Sequence, residues 1–88
     1  MDATRFELRI SVPRDQRFAS TMRGLAIHAA QYAGCGAAAA EAFGGDVEQA
    51  VRRSLERMAP DAELPIVVRR HDGPVEVVID SRTISVDV

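Results

Sequence analysis

In "RFELRISV" the apolar residues Phe6, Leu8, Ile10 and Val12 alternate with Glu7, Arg9 and Ser11. That period of two predicts a half-buried strand, and Pro13, which has no N–H to continue a ladder, ends it. From about Arg14 the period changes. Phe18, Met22, Leu25, Ala29 and Tyr32 step by three and four, the stripe of an amphipathic helix, and Gly34 in "AGCG" supplies its stop. A second helix is predicted from about Ala37 to Met58, with Phe43, Val47, Ala50, Val51, Ser54, Leu55 and Met58 along one side. Gly44–Gly45 interrupts it. Each glycine costs about 1 kcal/mol relative to alanine inside a helix, so a kink or short break is expected there, with Asp46 as N-cap of the second piece.

The remainder reads as a meander whose register can be deduced. A two-residue turn at Asp72–Gly73 sets Val68 against Val77, Ile66 against Ile79 and Arg69 against Glu76, an opposite-charge pair. A second turn at Ser81–Arg82 sets Ile79 against Ile84, Val77 against Val86 and Val75 against Val88. Both hairpins turn the same residues inward. The predicted architecture is α+β, a single domain over 1–88: a β-α-α-β-β-β two-layer sandwich with a mostly antiparallel four-stranded sheet and two helices on one face. The other face carries Glu7, Arg9, Val67, Arg69, Glu76, Val78 and Ser85, with Val67 and Val78 as a small apolar pair.

Composition fits this picture. Of 88 residues, 47% are hydrophobic and 27% charged, which suits a globular chain. The net charge of −2 argues against nucleic acid as a partner. The single cysteine, Cys35, excludes an internal disulfide and fits a reducing compartment. "MDATRFELRI" does not read as a secretory signal, and no run approaches the roughly 18 apolar residues of a membrane span. A cytoplasmic protein without a membrane partner is expected. The chain contains no Lys, Asn or Trp, so every basic side chain is Arg.

"FELRISVPRDQRFASTMRGLAIHAAQYAG" resembles the first strand and helix of the anti-sigma-factor serine kinases, the small bacterial branch of the GHKL ATPases. The shared features are Val12–Pro13, Phe18, Arg23 in mid-helix and the closing Gly34. "PIVVRRHDGPVEVVID" is similar to that family's central hairpin, which ends in the Asp of a D-x-G-x-G motif, and "RTISVDV" to its final strand. The likeness runs in order along most of the chain, but the family's chemistry is missing. Its Glu-Ala-x-x-Asn box, which activates water and coordinates Mg²⁺, would fall in "GGDVEQAVRR". Taking Asp46 for the Glu puts Ala50 at the Asn position, and taking Glu48 puts Arg52 there. A cation repels the metal rather than holding it. The Asp motif reads "DSRTI", without the glycines that allow close backbone approach to a purine, and no glycine-rich phosphate loop follows. Asp80 is therefore expected to be a turn residue rather than a base-reading ligand.

The resemblance then implies a shortened, degenerate relative that is not an enzyme, binds no cofactor or metal, and works by docking to another protein. The implied partner is a sigma factor or a STAS-type antagonist, with a homo-oligomer as a further expectation. Two surfaces are candidates. One is the basic run Arg52, Arg53 and Arg57 on the second helix, interleaved with Glu48 and Glu56, because Arg makes planar bidentate contacts with carboxylates. The other is the last strand, Thr83 to Val88, carrying Thr83 and Ser85, if it forms an open sheet edge. The alternatives are residual ATP binding by a kinase-like site and nucleic-acid binding through the arginines, although no aromatics interleave with them to stack bases. Cys35, between two glycines, reads as an inert small residue. His28 and His71 lack the spacing of a zinc site, and His71, before a turn, is expected in solvent.

Overall fold

Alternation decides which side of the sheet each strand residue faces, and the chain follows it. The computed structural model describes residues 5–88. They form β1 (Phe6–Pro13), α1 (Arg17–Tyr32), α2 (Ala37–Arg57), β2 (Glu63–Arg70), β3 (Val75–Ile79) and β4 (Arg82–Val86). The strands make one sheet in the order β1-β2-β3-β4, every neighbouring pair antiparallel. Leu64, Ile66 and Val68 of β2 and Val75, Val77 and Ile79 of β3 turn toward the helices and are buried with them in one core. On the open face, Val67 and Val78 are direct partners, and Arg69 Nε lies 2.9 Å from Glu76 Oε1. The β2–β3 register is the one the Asp72–Gly73 turn demands. No helix of the described residues is long and apolar enough to cross a membrane.

Three details depart from the reading of the sequence. The buried face of α1 is rotated part of the way from the predicted stripe: Met22 and Ala29 of that stripe are buried as expected, but Ala19, Ala26 and Ala30 outside it are fully enclosed, Phe18 and Leu25 are half-buried, and Tyr32 is 59% exposed. Leu25 and Tyr32 border β1, where Tyr32 meets Phe6 edge-on at 6.0 Å. The Arg23–Ile27 side meets α2. The small alanines between the two contacts are the ones fully enclosed.

Second, α2 runs through Gly44 and Gly45 without a break, and Asp46 caps nothing. A Cβ on Gly44 would stand 2.5 Å from Ile27 Cγ1 and 3.1 Å from the Arg23 carbonyl oxygen. The missing side chain lets α1 approach, and the packing gained offsets the helix-propensity cost.

Third, the β3–β4 turn is Asp80–Ser81, not Ser81–Arg82. Ile79 stands opposite Arg82, Val77 opposite Ile84 and Val75 opposite Val86. A tight reversal needs positive φ, and Asp80 supplies it at +56°. Asp tolerates the left-handed region better than most non-glycine residues. The shift of two residues preserves parity, so the same apolar side chains still face the helices.

The helix ends are satisfied locally. Gly34, at φ +109°, closes α1: the Gly34 N–H donates to Gln31 O and the Cys35 N–H to Ala30 O, the bonding of a Schellman motif. At the end of α2, Arg14 Nε donates to the Leu55 carbonyl at 3.1 Å, which places a cation at the negative end of the helix.

Candidate functional site

The last turns of α2 and the β3–β4 hairpin enclose a cleft of about 430 Å³. Arg53 and Arg57 line it from the helix, Asp80, Ser81 and Arg82 from the hairpin, and Leu64 and Ile79 from the sheet. A shallower extension shares Arg53 and Arg82 and continues along α2 to Gln49 and Asp46, with Ile84 of β4 opposite. Together they form a groove between α2 and the open edge of the sheet.

The chain builds this groove from two periodicities. Asp46, Gln49, Arg53 and Arg57 recur at three- and four-residue steps and share one flank of α2. Arg82, Ile84 and Val86 share one side of β4 by alternation. Because Arg82 stands opposite the inward-facing Ile79, its side chain leaves the sheet on the helix side.

Charge distinguishes this groove from the rest of the surface. Most arginines are engaged within the chain: Arg9 with Glu7, Arg17 with Asp15, Arg23 with Glu41, Arg52 with Glu48 and Arg69 with Glu76, and Arg14 with the Leu55 carbonyl. Among the described residues Arg53, Arg57 and Arg82 have neither an ion-pair nor a hydrogen-bond partner, and all three line the one cleft. Asp80 is the cleft's only carboxylate and makes no salt bridge with them. Its N–H donates to Pro65 O at 3.1 Å. Proline cannot return that bond, so the β2–β3 ladder stops at this corner.

The structure divides the residues singled out from sequence. Arg53 and Arg57 reach the cleft. Arg52 does not: it is half-buried on the α1-facing flank, 2.8 Å from Glu48, a carboxylate that also lies 3.9 Å from Arg23. Thr83 and Ser85 are exposed on β4, an edge strand, but opposite Val78 and Glu76 on the open face, away from the cleft. Arg82, assigned to the turn, is the residue sequence reasoning missed. The signal was present: if Ile84 and Val86 face inward, Arg82 does too.

The remaining candidates lie elsewhere. The thiol of Cys35 is half-buried, 3.3 Å from the Asp87 carbonyl oxygen. His71 is exposed, its Nε2 3.0 Å from Glu7 Oε1. Exposed His28 borders an apolar groove beside β1. Among the described residues no three His, Cys, Asp or Glu side chains gather closely enough to hold a metal ion.

No family model matches the sequence, and no curated protein or solved structure matches it either.

Proposed function

We propose that this protein is a non-catalytic docking domain that takes an acidic segment of another protein into the groove between α2 and β4. The observation that carries this is the convergence of Arg53, Arg57 and Arg82, unpartnered, on one cleft. Guanidinium groups kept free of internal carboxylates are suited to bidentate contacts with a ligand's own. The position of β4 adds to it. An extended segment pairing with this edge would point every second side chain toward Arg82 and the cleft, and the others past Thr83 and Ser85. The likeness to anti-sigma-factor kinases points to a sigma factor or STAS-type antagonist as the partner.

Fluorescence anisotropy with a labelled peptide of alternating Glu and Thr residues tests this. Saturable binding is expected, weakened about tenfold or more by Arg53→Glu or Arg82→Glu, unaffected by Arg17→Ala, and falling with salt. Binding that ignores the cleft substitutions overturns the proposal. So does a rise in melting temperature with Mg-ATP that depends on the same arginines, or tighter Arg53-dependent binding of an oligonucleotide.

A further inference from the structure

The opposite edge of the sheet presents a different surface. β1 is an edge strand of eight residues, with Pro13 only at its end. Natural edges are commonly blunted by inward-pointing charges, bulges or short length. β1 has none of these: its charged side chains, Glu7 and Arg9, lie on the open face, and its helix-facing side chains are Phe6, Leu8, Ile10 and Val12. α1 covers that side incompletely, leaving a groove of about 340 Å³ whose lining is almost wholly apolar, including Leu8, Leu25, Tyr32 and Val68. Leu8 is 43% and Tyr32 59% exposed. Among the described residues the exposed large hydrophobics are these two and Val88, so two of the three meet at one groove.

We infer that β1 is the interface of a homodimer, pairing antiparallel with the β1 of a second copy about a two-fold axis at Leu8. The charge pattern selects both the occupant and the register. With the axis at Leu8, Glu7 faces the partner's Arg9 and Arg9 faces the partner's Glu7, so both pairs have opposite charge. On the helix side Leu8 meets the partner's Leu8, and Phe6 meets the partner's Ile10. Moving the axis one residue either way sets Glu7 against Glu7 or Arg9 against Arg9, a like-charge pair that destabilises the ladder. A register offset by a single residue puts apolar side chains opposite charged ones. The strand is therefore self-complementary in one arrangement and self-repelling in its nearest neighbours. That arrangement keeps the helices of both copies on the same side of one continuous sheet, and the partner's Leu8 lies where it covers the exposed groove. Glu7 is already 2.9 Å from Arg9 of its own chain and 3.0 Å from His71, so pairing joins existing ion pairs into a four-charge ring without burying a lone charge.

Analytical ultracentrifugation of the full chain tests this. The wild type is expected to sediment as a dimer. Arg9→Glu alone and Glu7→Arg alone, each shown to be folded by a cooperative thermal melt, are expected to raise the dimer dissociation constant by about tenfold or more. An equimolar mixture of the two is expected to dimerise again, because one variant then offers only acids and the other only arginines. A second measurement places the axis. In a Cys35→Ser background, Leu8→Cys should crosslink to itself under mild oxidation, since directly opposed residues lie about 4.5–5.5 Å apart between Cα atoms, whereas Ile10→Cys should not. A monomeric wild type, which would leave the edge to another protein's strand, overturns the inference. So does a dimer that survives Arg9→Glu, a mixture that stays monomeric, or preferential crosslinking at position 10.

Discussion

Arg82 stands directly opposite Ile79 in the β3–β4 ladder, so a guanidinium shares the helix-facing side of the sheet with a core isoleucine. It lies at the sheet's rim, where the core opens into the cleft, and remains exposed. A charge at such a place, exposed and with no internal partner, adds little to folding.

Arg82→Ala is therefore expected to leave unfolding free energy within about 0.5 kcal/mol of wild type. It should weaken the acidic peptide about tenfold and lower the salt dependence of binding. Urea denaturation and anisotropy on the same samples separate the two effects. A large loss of stability would mean that the arginine supports the hairpin instead.

The hairpin itself depends on Asp80, whose φ of +56° is the only positive value on a described non-glycine residue. Asp80→Val places a β-branched side chain in the left-handed region and should destabilise by about 1–2 kcal/mol. Asp80→Gly should be close to neutral, because glycine reaches that backbone conformation without steric cost. Chemical denaturation distinguishes them, and equal effects would show that the carboxylate matters more than the backbone.

Strand identity and facing were legible because alternation is a local property of the chain: the β2–β3 register, the Arg69–Glu76 pair and the inward valines follow from it directly. The turn at Asp80 was misplaced because two neighbouring turns preserve the same parity, and only backbone preference separates them. The rotation of α1 and the unbroken α2 were not legible, because both follow from the approach of one helix to another, which no local pattern encodes. For the site, Arg53 and Arg57 were readable as basic helix residues. That Arg52 on the same helix pairs with Glu48 while Arg82 joins the cleft depends on which flank meets α1.

The two glycines of α2 should respond in opposite ways. A Cβ on Gly45 meets nothing within 4 Å, so Gly45→Ala should stabilise by about 0.5–1 kcal/mol through helix propensity and a less flexible unfolded chain. A Cβ on Gly44 would meet Ile27 at 2.5 Å and the Arg23 carbonyl oxygen at 3.1 Å. Ile27 can turn aside, but the carbonyl moves only with α1, so Gly44→Ala should destabilise by about 1–3 kcal/mol despite the better propensity. Thermal melts of the two variants give the sign directly, and a Gly44→Ala protein as stable as Gly45→Ala would mean the helices are not in close contact there.

At the start of α1, Asp15 accepts from the Arg17 backbone N–H at 3.0 Å and from its guanidinium at 2.6 Å. The side-chain hydrogen bond from Arg17, followed by the backbone one, lowers the carboxyl from its ordinary 3.8 to about 2. A carboxyl depressed in the folded state binds its proton more readily when unfolded, so its contribution to stability is present in full above about pH 4 and is lost as pH falls toward 2. The stability difference between wild type and Asp15→Asn should therefore shrink across that window and stay constant at neutral pH. Arg17→Ala should move the Asp15 midpoint, read by carboxyl NMR titration, up toward 3.8. A midpoint already at the ordinary value in the wild type would show that the Arg17 contact does not hold in solution.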